Sequence, residues 1–197
     1  MIGSLHRDRR GATLIEFAMI LPAMLMVIFG LCELAFQEYV QAVLIGAMQK
    51  AGRDSTIESN QADTSGSAID RQVMAAIWTL AKNATYTSSR KSYAQFGTVA
   101  GEPFQDNNMN GIYDPAKECF TDTNNNKVWD ADPSNKGQGG AGDVVVYRMD
   151  ISYPRLFPVA KLMGMSPRAQ LSATTILKNQ PYKTQVSYTP VQICPPV

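Results

Sequence analysis

RDRRGATLIEFAMILPAMLMVIFGLCELAF, residues 7–36, is the stretch on which the reading of this chain turns. Three arginines (Arg7, Arg9 and Arg10) against one acid (Asp8) precede an apolar run, residues 12–36, whose only charges are Glu16 and Glu33. Twenty-five helical residues reach roughly 37 Å, more than the ~30 Å hydrocarbon core of a bilayer. A soluble core helix rarely stays apolar on every side for so long. The basic flank before the run and the acidic residues after it (Glu38, Asp54, Glu58) predict a cytoplasmic N-terminus with the remainder translocated. A cleaved secretory signal has a shorter apolar core and a small-x-small site after it, which is missing here. A plain signal anchor fits the length but leaves Glu16, one turn inside the run, without a reason.

Outward from that segment, the 197 residues divide unevenly. Hydrophobic residues are 45% and charged residues 18%, which excludes a disordered chain and a polybasic nucleic-acid binder. Of 17 acidic residues, eight lie between positions 102 and 143, where the only basic residues are Lys117, Lys127 and Lys136. The expected organisation is a leader at 1–11, a transmembrane and extended helix at 12–57, and a domain at 58–197 with an acidic repeat loop at 101–143. Tyr39, Val40, Val43, Leu44, Ala47 and Ala51 continue the helix with an apolar stripe. Pro22 either kinks it or is a tolerated membrane proline. Residues 55–67 read as a polar loop. Helical spacing returns over 68–82, with Ile69, Val73, Ala76, Ile77 and Leu80 on one face and Met74 and Trp78 beside it. Residues 144–153 alternate as a half-buried strand, with Val145, Tyr147, Met149, Ile151 and Tyr153 inward. A short amphipathic helix over 156–163, a strand over 169–178 and a third over 184–188 complete the expectation. The fold class is α+β: one long N-terminal membrane helix and a small antiparallel sheet packed on it and on a second helix.

The string Arg9-Arg10-Gly11-Ala12-Thr13-Leu14-Ile15-Glu16-Phe17 resembles a type IV prepilin processing site. The longer run to Phe36 is similar to the TadE-like pseudopilins of the tight-adherence (Flp-type) pilus family, down to Pro22 and the pair Gly30 and Glu33. LSATTILKNQPY, residues 171–182, resembles that family's C-terminal strand and asparagine-proline-aromatic motif, with Gln180 where the family pattern usually has an acid. The resemblance implies cleavage by a prepilin peptidase between Gly11 and Ala12, leaving Glu16 as fifth residue beside Phe17. A buried carboxylate needs a partner, and the new ammonium of a neighbouring subunit would supply it and set register. It also implies a structural or priming subunit of the pilus, with the major pilin, other pseudopilins and the inner-membrane platform as partners. Loss of residues 1–11 removes three positive charges and one negative, taking the net charge from +1 to −1, so nucleic acid is not the expected partner.

Residues 102–130 hold a repeat offset by sixteen, E-x-F-x-D-x-N-x-N-x-[IV]-[YW]-D. Asp106, Asn108, Asn110, the carbonyl of Ile112, and Asp114 fall at the ligand positions of an EF-hand-like calcium loop. Asp122, Asn124, Asn126, the carbonyl of Val128, and Asp130 repeat them. The acid expected at position 12 is replaced by Lys117, with Glu118 next, and by Pro133, preceded by Asp132. Lys127 stands where the first loop has Gly111, which either forces a left-handed lysine or breaks the pattern. The competing reading is a pair of Asx-turn-rich surface loops without metal. Calcium, if held, would be structural.

Cys32 reads as an apolar filler in the span. Cys119 and Cys194, facing an oxidising periplasm, are expected to pair as a disulfide that ties the tail to the acidic loop, two free thiols being the competing reading. The single histidine, His6, lies before the processing site, so a mature chain has no histidine-based catalytic set and no enzyme is expected. The rival to a pilus subunit is an uncleaved, membrane-anchored periplasmic calcium-binding module.

Overall fold

The computed structural model describes residues 10–55, 66–157, 159–162, 164–180 and 189–195. Helix α1 (Arg10–Ser55) runs 46 residues through Pro22, roughly 69 Å at helical rise. Its two halves have different surroundings. From Thr13 to Cys32 nearly every side chain is exposed, including Leu14, Phe17, Met19, Ile20 and Leu31. From Glu33 onward a single stripe turns inward, with Val40, Leu44, Met48 and Ala51 buried at three- and four-residue spacing. That spacing lines one helix face, and burying each large member contributes about 1.5–3 kcal/mol.

The stripe meets two partners. Helix α2 (Ser67–Leu80) adds Ile69, Val73, Met74 and Ile77. The sheet adds the inward residues of β4 (Val144–Pro154), namely Tyr147, Met149, Ile151 and Tyr153, and those of β5 (Arg168–Lys178), Ala169 and Ala173. Small residues on β5 let α1 approach, and Gly52 sits so close to Leu177 that an added Cβ would come within 2.8 Å of it. The core is therefore one layer of helix on one layer of sheet.

The four-stranded sheet has the order β3-β1-β4-β5 and every pairing is antiparallel, with β1 at Thr85–Tyr93 and β3 at Asn135–Lys136. Ser89 opposes Arg148, which opposes Thr174 across β4. Hydrophobic patterning leaves β1, TYTSSRKSY, unmarked, because its inward residues Ser88 and Arg90 are polar and are satisfied by a buried acid rather than by apolar contact. A second sheet joins β2 (Phe120–Asp122) to β6 (Val191–Ile193). Helix α3 (Val159–Leu162) is one turn inside the predicted 156–163 segment and lies against α1. The strand predicted over 184–188, most of the predicted 55–67 loop and His6 lie outside the described residues. An N-terminal apolar helix followed by a helix and antiparallel sheets makes the fold α+β.

Candidate functional site

Four places on this scaffold bring chemically able side chains together. The first is the free half of α1. Gly11 and Ala12 lie in its first turn, and Glu16 and Phe17 follow on the exposed helix. Leu14 is 71% exposed, Ile15 60% and Phe17 57%, so Glu16 is set in an uncovered apolar surface. Such a surface is stable only in lipid or against other apolar helices, and in either setting an ionised carboxylate needs a partner.

The second is the place where α1 enters the domain. Glu33 is 6% exposed, and its Oε2 accepts the backbone N–H groups of Leu156 (3.1 Å) and Phe157 (3.2 Å). Arg155 Nη1 lies 3.5 Å from its Oε1 and the same distance from Gln37 Oε1. Below and above this clasp, the Phe157 ring stacks on Phe29 and the Tyr153 ring meets Phe36 edge-on. The carboxylate thus ties the β4–α3 turn to the helix at the end of its apolar run.

A third cluster is internal. Asp70, on α2, is buried and accepts from Ser88 Oγ (2.5 Å), Arg90 Nη2 (2.6 Å) and Tyr147 OH (2.6 Å). Arg90 also lies 4.1 Å above the Tyr147 ring centre. Burial, and then the bond to Asp70, push the Tyr147 hydroxyl well above the usual phenol range, so it remains a proton donor. Every strong group here has a partner, which marks a structural network joining α2 to β1 and β4.

The acidic repeat forms two loops that share three internal bonds, from Gly111 or Lys127 to the first Asp, from the second Asn to the first, and from Ile112 or Val128 to the second Asn. In the first, Asp106 accepts the N–H of Asn110 and Gly111, Asn108 that of Asn110, and Asn110 that of Ile112. In the second, Asp122 accepts the N–H of Asn124, Asn125 and Lys127, Asn124 that of Asn126, and Asn126 that of Val128. Closure is reciprocal. Glu118, which begins the second repeat, closes the first loop by accepting the N–H of Asn107 and Asp114. Glu102, which begins the first repeat, closes the second by accepting the N–H of Thr123 and Asp130. Gln105 N–H to Cys119 carbonyl and Thr121 N–H to Pro103 carbonyl repeat the exchange around the Phe104–Phe120 bridge. Tyr113 stacks on Trp129, and Phe104 and Phe120 meet them edge-on, giving the loops a small aromatic core of their own.

Both loops also share their strain. Met109 and Asn125 have φ of 60° and 62°, and Lys127 has 65° where its counterpart Gly111 has 73°. The lysine therefore adopts the left-handed conformation instead of breaking the repeat. Ligand spacing does not mark Glu102; the signal that finds it is its sixteen-residue offset from Glu118. Asp132 is drawn elsewhere, to Lys91 and to Tyr93 OH on β1. The Lys91 bond above all holds its carboxyl at about 2, below the usual carboxylate range. Among the described residues, no three His, Cys, Asp or Glu side chains meet as a metal-holding group. The donors are all oxygen, a hard-cation set, and several of them are engaged with backbone N–H groups. Asn124 and Asn126 amides donate to Asp130 Oδ2. Cys119 and Cys194 form a disulfide that ties this unit to the tail beside β6. Cys32 is free and exposed.

Set beside known families, the helix finds a counterpart. Residues 11–53 match the family of TadE-like proteins. The match covers α1 almost end to end and stops two residues before the end of the helix. The match makes this helix similar to that family over residues 11–53, and its exposed apolar half suits a membrane anchor. No curated protein and no solved structure matches the chain.

Proposed function

We propose that this chain is a minor pilin or pseudopilin of a tight-adherence pilus, a structural or priming subunit without turnover. The observation that carries the reading is the coincidence of the TadE-like match with one helix whose outer half presents an apolar surface interrupted by Glu16. In this reading α1 inserts in the inner membrane with its N-terminus cytoplasmic and the domain periplasmic. A prepilin peptidase cuts between Gly11 and Ala12. Glu16 then pairs with the new ammonium of a neighbouring subunit, because two opposite charges in a low dielectric hold each other far more tightly than in water. Major pilin, other pseudopilins and the membrane platform are the partners.

N-terminal sequencing and intact mass of protein from membranes with and without a prepilin peptidase test this directly. The expected result is a peptidase-dependent start at Ala12, and a Glu16→Ala chain that is inserted and cut but not incorporated. A chain beginning at Met1 under both conditions overturns the processing step and favours an uncleaved anchored module. Normal incorporation of Glu16→Ala removes the pairing.

A second reading concerns the loops. Calcium as a structural ion is favoured by one specific observation: two loops of different sequence, one with lysine in place of glycine, hold the same left-handed turns at the same positions. Asp106, Asn108, Asn110, the Ile112 carbonyl, Asp114 and Glu118 would hold one ion. Asp122, Asn124, Asn126, the Val128 carbonyl and Asp130 would hold the other, with Glu102 taking the place of Asp132. Thermal melts of the full chain in calcium and in a calcium chelator test it. A higher Tm in calcium that Asp106→Ala diminishes is expected; identical curves refute it.

A further inference from the structure

The sequence from Pro154 to Arg168, PRLFPVAKLMGMSPR, carries three cations (Arg155, Lys161, Arg168) and no acid. Its place in the fold gives that composition a meaning. Counted from Thr13, the ~20 residues that cross a ~30 Å hydrocarbon core end at Cys32. Glu33 is the next residue, and it is Glu33 that binds the backbone of Leu156 and Phe157. Phe157 reaches back one helical turn to stack on Phe29, ring centres 5.1 Å apart, alongside the apolar run itself. Around this contact Leu156 is 54% exposed, Leu162 71% and Met165 49%, and Lys161 is exposed between them. Arg155 and Arg168 are committed to protein partners, Arg155 to Glu33 and Arg168 to Ser152.

We infer that Leu156, Leu162 and Met165 form a foot that rests in the outer interface of the bilayer, the phospholipid headgroups being its partner. The inference rests on α1 being a membrane span. Apolar side chains at the acyl boundary beside an exposed lysine, with the neighbouring Glu33 buried and paired to Arg155, are what an anionic leaflet attracts, through buried apolar area and through charge. The Glu33 clasp fixes the foot to the helix, so it sets how deep α1 sits and how the domain stands on the membrane. A subunit leaving the bilayer for a filament has to lift this foot as well as withdraw its helix.

The test uses the full chain in phosphatidylcholine–phosphatidylglycerol vesicles, with a nitroxide on one cysteine at a time in a Cys32→Ser background. The three sites are Leu162→Cys in the foot, Leu25→Cys in the span and Ile112→Cys at a loop tip, all exposed positions. Relaxation by oxygen, which partitions into lipid, is compared with relaxation by a water-soluble nickel chelate. The expected result is an oxygen-to-nickel ratio severalfold higher at 162 than at 112, and highest at 25. A ratio at 162 equal to that at 112, with 25 deep in lipid, overturns the foot and leaves the span intact. A label at 25 open to nickel overturns the span, and the foot with it. Shielding of 162 from both reagents also overturns the proposal, in favour of a second protein chain on that face.

Discussion

Asp70→Ala is the substitution with the largest foreseeable effect on the domain. The Asp70 and Arg90 side chains are only 7% and 6% exposed, so removing the carboxylate leaves a guanidinium charge out of water without its ion-pair partner. Breaking a buried pair from one side costs about 3–5 kcal/mol. Ser88 Oγ and Tyr147 OH lose their acceptor at the same time, and Tyr147 is 1% exposed, so bulk water does not reach it directly. With a urea dependence of about 2 kcal/mol per molar for a domain of this size, a cost of about 4 kcal/mol lowers the midpoint by about 2 M. The assay is urea unfolding of the full chain in detergent, followed by tryptophan fluorescence. The double variant Asp70→Leu/Arg90→Met removes both charges and is expected to recover much of the loss, because an apolar pair of similar volume can replace a buried ion pair. A single Asp70→Ala cost below about 1 kcal/mol, or a double variant no better than the single, would refute the reasoning.

Two further predictions concern the backbone of the repeat. Lys127→Gly relieves a left-handed residue that costs an L-amino acid about 1–2 kcal/mol, offset in part by the larger unfolded-state entropy of glycine. A Tm rise of about 2–4 °C per kcal/mol recovered is expected in a thermal melt, and an unchanged or lower Tm would contradict it. Gly111→Ala is the mirror experiment: a Cβ there meets nothing within 4 Å, so the loss of stability, about 1 kcal/mol, reports the φ of 73° net of the unfolded-state entropy that alanine removes.

Much of the architecture is legible along the chain because it is written in period and length. The apolar run at 12–36, the stripe from Val40 to Ala51, the helix at 68–82 and the alternation at 144–153 each carry a hydrophobic signature; the domain core uses the last three, and the first stays largely uncovered. Strand β1 is illegible for the opposite reason. Its inward Ser88 and Arg90 are stabilised by Asp70, eighteen and twenty residues away, and no local pattern of hydrophobicity records a polar partner brought by folding. Glu33 shows the same limit: in sequence it is one of two acids in an apolar run, in space it is the clasp on residues 156 and 157.

The repeat divides the two kinds of information most clearly. Its ligand-like spacing, its sixteen-residue period and the anomaly at Lys127 are all in the one-dimensional string. That Glu102 and Glu118 exchange loops is not, because each hydrogen-bonds backbone amides of the other repeat, and only the antiparallel approach of Phe104 to Phe120 brings them within reach. What this sequence determines by itself is set by short-range chemistry: a helix long and apolar enough to span, turns that Asn and Asp favour, strands that alternate. What the tertiary structure alone decides is which charged groups become buried and by whom they are satisfied, since that depends on distances between residues far apart in the chain.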